Sequence, residues 1–289
     1  MNSPDTLSYD SDLPSEEQAP SHPKLKIQAK FQIARPPPKS HQLLRLSPKL
    51  ILQIQQLPPN HRPVPVLEIW QPPLRKSKLT RGFPHQPKLG ARDIYATLNE
   101  PYVTTTQKQR AVSEPSEQCA QDKDIVAAMC SQSSNEETAS AIHFRDARCI
   151  WQACPASTAT QSSSTAGSEQ ASNYRFTIVN AENTGGEEGR MLMQWERRLD
   201  GEKGEQFVLV AIDRKARRKS RIASMTRDGV EINVRKSSVL EHLRLCLLLT
   251  DPVAGSAGDD FYGNLEIWLY THVLTLGVWV ASMEGWLSL

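Results

Sequence analysis

The clearest pattern in the chain is an alternation of apolar and polar residues near its start. Leu25, Ile27, Ala29, Phe31 and Ile33 alternate with Lys24, Lys26, Gln28, Lys30 and Gln32, so a strand here has one apolar and one polar face. Pro36-Pro37-Pro38 break the run. Shorter runs follow at His41 to Leu46, Lys49 to Leu57 and Pro65 to Trp70, separated by Ser47-Pro48 and Pro58-Pro59-Asn60. Runs this short and this close predict an antiparallel meander, because parallel pairing needs long crossovers. Ile94 to Leu98 is an ordered stretch of no clear type, and Ile142 to Cys154, with Phe144, Ile150 and Trp151, predicts one strand.

The same two-residue period returns later. Tyr174, Phe176 and Ile178 mark one strand and Met191, Met193 and Trp195 the next, across a loop from Asn183 to Gly189. Phe207 to Ile212 is a continuous apolar run suited to a central strand. Ser220 to Arg227 and Val230 to Arg235 then form a hairpin about Asp228-Gly229, a pair that tolerates positive φ.

Beyond the hairpin the period becomes helical. Ser238 and Glu241 have the spacing of a capping box for a helix ending near Thr250-Asp251-Pro252, and Asn264 is placed to cap a last helix from Leu265 to about Gly285. Between Glu266 and Glu284 lie 17 residues without a charge. A helix apolar on every side is buried in lipid or in protein. Its length falls at or under the roughly 20 residues that span hydrocarbon. It also holds Thr271 and His272, and acidic residues flank it, so a core helix is favoured over a membrane anchor.

About ten strand candidates are available to surround that helix. The expected fold class is α+β, mainly β: an antiparallel sheet or closed barrel around a hydrophobic C-terminal helix. Residues 1–23 read as a disordered acidic tail, and residues 24–289 as a single β-rich domain with low-complexity insertions at about 104–141 and 156–173. These insertions are polar and offer little apolar area to offset the entropy of ordering them. In element order the chain resembles the tubby-like and scramblase-like architecture, in which a closed antiparallel barrel encloses a hydrophobic helix near the C-terminus. Asp213 to Arg221 and Tyr270 to Val280 are also similar to a family of filamentous-fungal proteins that brings no known activity with it.

The net charge of +2 conceals blocks. Residues 24–94 carry 14 Lys and Arg against 2 Asp and Glu, and residues 201–236 carry 10 against 5. If the two blocks share a face they can meet an anionic partner. The densest stretch is Arg214, Lys215, Arg217, Arg218, Lys219 and Arg221, six cations in eight residues. It can hold phosphate oxygens, from a phospholipid headgroup, a phosphorylated ligand or a nucleic-acid backbone, or act as an import signal; a solvated loop also explains it. Ser220 within it is a candidate regulatory phosphorylation site, since phosphate there offsets about two charges. Nucleic acid is the less favoured partner because few aromatics interleave with the basic residues. The disordered segments offer places for protein partners.

Five cysteines (Cys119, Cys130, Cys149, Cys154 and Cys246) make an odd, scattered set, and no signal-peptide pattern opens the sequence, so an intracellular setting is expected, cytoplasmic or nuclear with peripheral membrane contact possible. Cys149, Cys154 and nearby His143 lack a second pair at zinc spacing and read as ordinary thiols. The Gly185-Gly186-x-x-Gly189 loop contains Glu187 and Glu188, which repel phosphate. His272 reads as a core histidine bonded to a strand carbonyl, and His242 as a surface residue. The tryptophans Trp70, Trp151, Trp195, Trp268, Trp279 and Trp286 read as core anchors. No nucleophile elbow, zinc-protease or dinucleotide motif occurs, so no catalytic residue, metal ligand or cofactor is assigned. The function expected is a non-enzymatic binding module for an anionic partner. A nuclear or cytoplasmic interaction adaptor and an enzyme with an unrecognised pocket are the alternatives.

Overall fold

The computed structural model describes residues 26–36, 47–74, 77–80, 82–99, 125–131, 139–145, 147, 149–156, 173–180, 192–200, 204–213, 218–235 and 259–287. Its elements are β1 (Lys26–Ala34), β2 (Lys49–Gln56), β3 (Val64–Gln71), β4 (Ser77–Lys78), β5 (Lys88–Leu89), β6 (Ile94–Leu98), β7 (Ile125–Ser131), β8 (Ser140–Phe144), β9 (Cys149–Ala156), β10 (Asn173–Asn180), β11 (Leu192–Asp200), β12 (Gly204–Asp213), β13 (Arg218–Thr226), β14 (Gly229–Arg235) and α1 (Asp259–Met283). Twelve strands close into a barrel in the order β1-β14-β13-β12-β11-β10-β9-β8-β7-β6-β3-β2, with every pairing antiparallel. Closure comes from β1 pairing with β14, from Lys26 opposite Arg235 to Gln32 opposite Gly229.

Helix α1 fills the barrel. Every residue from Leu269 to Ala281 is buried, whichever way it faces. Its side chains meet the wall on all sides: Tyr270 packs edge-on against Phe31 of β1, His272 stacks on Phe144 of β8, and Trp279 lies edge-on to Tyr174 and Phe176 of β10. This is the wrapped helix that its uninterrupted apolar run demands. No helix among the described residues is long and apolar enough to cross a membrane.

The helix terminates by a specific device. Gly285 has φ +67°, its N–H donates to Ser282 O at 3.2 Å, and the Trp286 N–H donates to Ala281 O at 2.8 Å, the paired bonds of a Schellman motif. The turn swings Trp286 back over Phe207, with ring centroids 5.6 Å apart. Glu284 accepts a hydrogen bond from Tyr174 Oη at 2.5 Å and pairs with Arg197 at 3.3 Å, while Arg197 also pairs with Glu205. Burial and the neighbouring Glu284 carboxylate hold the Tyr174 phenol well above its usual range, so it stays a donor. These bonds fix the helix C-terminus at the rim of the β11–β12 and β13–β14 turns, and its N-terminus therefore faces the opposite rim.

A smaller apolar cluster lies outside the wall. The antiparallel pair β4–β5 and its connections form an arm that sets Leu79, Phe83 and Leu89 against Tyr95, Ile125 and Ala128. Asp93 staples it down, accepting from the Gly90 N–H at 2.5 Å and the Ser131 N–H at 2.9 Å. Strands β6 and β7 are thus buried on both faces, since Ala96 and Ala127 belong to the main core while Tyr95 and Ala128 belong to the arm's cluster.

Several expectations need correction. Ile125–Ser131 is a strand within the 104–141 span read as a disordered insertion; buried on both faces, it shows no alternation. Ile142 to Cys154 is two strands, β8 and β9, turning at Arg145. Asn264 lies inside α1, five residues after its start. In the hairpin the two-residue turn is Arg227-Asp228, and Gly229 opens β14. The stretches His41 to Leu46, Asn183 to Gly189 and Ser238 to Thr250 lie outside the described residues, as do Met191, Cys119, His242 and Cys246.

Glycine at 229 has a steric reason. A Cβ there would lie 2.3 Å from the Phe31 carbonyl oxygen, on the strand that closes the barrel. Gly229→Ala is expected to force β1 and β14 apart and cost at least about 2 kcal/mol, measured by urea unfolding.

Candidate anion-binding site

The placement of the basic residues turns on a bulge in β13. Leu209 pairs with Ala223 and Val210 with Arg221, leaving Ile222 as the extra residue. Ile222 and Ala223 both enter the core. With strict alternation Arg221 and Lys219 would follow Ala223 and Met225 inward; the bulge re-aims them to the outer wall.

The structure brings some of the expected cations together with others that were not expected. Arg214, Lys215 and Arg217 lie outside the described residues. Arg218, Lys219 and Arg221 are exposed on the first half of β13, which is sheet and not the interstrand loop expected. Ser220 is half-buried opposite Ala211, on the core side of the strand, and so is not the open kinase site expected. Lys219 is partly neutralised: its Nζ lies 3.0 Å from Glu196 Oε1, and Arg198 approaches the other oxygen at 3.5 Å.

On the adjoining strands, at the same rim, Arg235 ends β14 directly opposite Lys26 at the start of β1, and both are exposed. Among the described residues no ion pair engages Lys26, Arg235, Arg218 or Arg221. Two outward positions along the same ladder, Lys30 and Glu231 form an ordinary opposite-charge pair at 3.0 Å. Like charges facing each other across a ladder cost stability. Four of these cations, Lys26, Lys219, Arg221 and Arg235, face outward on three successive strands, β13, β14 and β1, while Arg218 shares the parity of Ser220 and stands opposite Asp213. Lys78, Lys88 and Arg92 of the first basic block do not join them, since they belong to the arm on the far side of the ring.

Sequence reasoning counted Lys26 and Arg235 within the two basic blocks but did not single them out, because they are 209 positions apart. The only signal was that each ends or begins a strand with its polar face outward.

Two histidines and the thiols occupy other environments. His272 Nδ1 donates to Trp268 O of its own helix at 2.8 Å, where a strand carbonyl was expected, and its ring stacks on Phe144 with centroids 3.8 Å apart. Burial lowers its pKa to about 4. His143, on the outer side of β8, lies 6.2 Å from the His85 ring and is lowered to about 4, first by burial and then by His85. Burial and the nearby Asp93 push the Cys130 thiol up to about 12, and burial raises Cys149, so both are protonated at neutral pH. Cys149 is buried in the core, whereas Cys154, on the opposite parity of β9, faces outward, so the wall separates them and they cannot share a zinc ion. Among the described residues no group of His, Cys, Asp and Glu is arranged to hold a metal.

No protein-family model matches the chain, and no curated protein or solved structure matches it.

The histidines make stability depend on pH in one direction. Their folded pKa values lie below the unfolded value near 6.5, so the unfolded chain binds protons first. Their contribution is fully present above about pH 6.5 and is lost as pH falls toward about 4. Each supplies a slope of up to about 1.4 kcal/mol per pH unit. Urea midpoints measured across this window are expected to fall with acidification, and His143→Gln is expected to flatten the fall.

Proposed function

We propose that this barrel is a non-enzymatic binding module that takes an anionic partner, a phospholipid headgroup or a phosphorylated ligand, on its basic rim. The observation that carries the reading is the exposed pair of Lys26 and Arg235, set opposite each other, with Arg221 facing outward on the neighbouring strand β13. An anion bridging these strands offsets the repulsion that the ladder otherwise bears. Arginine favours this chemistry, because its planar fork takes two phosphate oxygens at once. Twelve antiparallel strands closed around an apolar helix also support the resemblance to the tubby-like and scramblase-like architecture. With the interior occupied by α1, the exposed cations of the rim are the groups best placed to meet a charged surface. Such contacts bring the protein to a membrane peripherally, by charge.

Co-sedimentation with phosphatidylcholine vesicles, with and without phosphatidylserine or a phosphoinositide, tests this; a soluble inositol phosphate as competitor separates headgroup from surface. Binding is expected only with anionic lipid and to weaken with salt. Each cation near such a surface is worth about 1 kcal/mol, so the triple variant Lys26→Ala/Arg221→Ala/Arg235→Ala is expected to bind roughly 100-fold more weakly. Lys219→Ala is expected to matter less, since Glu196 already engages it. Binding that ignores anionic lipid, or that survives the triple variant, overturns the reading.

A further inference from the structure

The arm outside the barrel is fastened firmly at its root. Asp93 accepts from the Gly90 and Ser131 amides there, and Gln71 Nε2 donates to Ala91 O at 3.2 Å. Further out, the β4–β5 pair shares no ladder with the barrel. Its backbone closes on itself instead, the Leu79 N–H donating to Pro87 O and the Gln86 N–H to Phe83 O, both at 2.9 Å. The turn at residues 83–86 holds Gln86 at φ +44°, a left-handed conformation that a residue with a side chain adopts at a cost. This turn sets half-buried His85 against His143 of the wall, with ring centroids 6.2 Å apart.

His143 stands directly opposite Ala128, a member of the arm's apolar cluster. It is 9% exposed, and its Nδ1 has no hydrogen-bond partner among the described residues. The groups around it, element by element, offer no counter-charge. The arm brings His85 and the exposed cations Lys78, Lys88 and Arg92; β7 brings the Cys130 thiol and β6 the Tyr95 phenol. On β8 the next outward residue is buried Arg145, whose Nη1 lies 3.3 Å from Ile125 O, and on β9 the residue opposite is Ile150. Asp93 is engaged by its two amides.

We propose that the arm is an acid-released strap: when His143 and His85 are protonated, residues 77–89 leave the wall while the barrel stays closed, uncovering the apolar outer faces of β6 and β7. Protonation sets two like charges against each other across the contact, with Arg145 beside them. From the arm's side the contact rests on Leu79, Phe83 and Leu89, a small apolar area beside that of the main core, so it is the part of the structure that opens first. The sign follows from burial. Burial first and then His85 lower the closed-state pKa of His143 to about 4, and release returns the ring toward its ordinary 6.5. The open form therefore binds the proton first, and opening is favoured as pH falls through about 6.5 toward about 4.

Cys130 reports the release, because it packs half-buried against the arm's cluster, whereas Cys149 lies in the main core. The full chain is labelled with dithiodipyridine, which reacts with thiols in acid as well as at neutral pH, and the sites are mapped by mass spectrometry. Referred to glutathione at each pH, labelling of Cys130 is expected to speed up at least about tenfold between about pH 7 and about pH 5, with Cys149 left unlabelled. His143→Gln is expected to abolish the rise. His85→Glu places a carboxylate against the protonated His143 ring and is expected to keep Cys130 covered at about pH 5. If His143→Gln does not fold, His85→Glu decides alone. A Cys130 rate indifferent to pH, a rise shared by Cys149, or a rise that survives either substitution overturns the proposal.

Discussion

Everything in this molecule depends on hiding a helix that has no polar side. Between Glu266 and Glu284 the chain offers water no charged group, so α1 is stable only where apolar side chains surround it completely. A twisted antiparallel sheet that closes on itself supplies such a surround and leaves no open edge. The requirement is mutual. Trp151, Trp195, Phe176 and Phe207 line the wall fully buried, and without the helix they would face a void. Each partner is the other's core, which couples strands far apart in sequence into one cooperative unit.

With the interior filled, the described differences between strands lie on the exterior. The outer wall is built up unevenly, with an arm over β6 and β7, a buried apolar face of Leu192, Val208 and Val210 on β11 and β12, and a cluster of cations where β13, β14 and β1 meet. The bulge at Ile222 links two of these features, because the same extra residue feeds the core and turns Arg221 and Lys219 outward. Local packing and surface charge are thus set by one irregularity. The far end is arranged differently: Glu284 is engaged by Tyr174 and Arg197, and Trp286 covers Phe207, so the helix end is pinned and screened.

Much of this was legible from residue pattern alone. Strands with one wet face, such as β1 and β14, announce themselves by alternation, and the helix by its unbroken apolar run. Strand β7 did not, since Ile-Val-Ala-Ala-Met-Cys buried on both faces has no period and sits among polar residues. Hairpin β13–β14 was legible but its turn was misplaced by one residue. Asp228-Gly229 looked like turn chemistry, whereas the glycine answers to the backbone of β1, a neighbour almost 200 residues earlier. The basic run and the two basic blocks were visible in sequence; that Lys26 of one block stands opposite Arg235 of the other was not, because barrel closure alone sets them face to face.

The order of elements along the chain has a consequence for biosynthesis. All fourteen strands among the described residues leave the ribosome before α1, so the wall exists as nascent polypeptide before its filling does. During that interval more than thirty inward apolar side chains have nothing to pack on, and β1 has waited longest for the strand that completes the ring. Such a topology, dominated by long-range pairings, is slow to assemble and exposed to aggregation meanwhile. The pinned C-terminal turn, which carries Trp286 over Phe207, follows every described strand of the wall in that order.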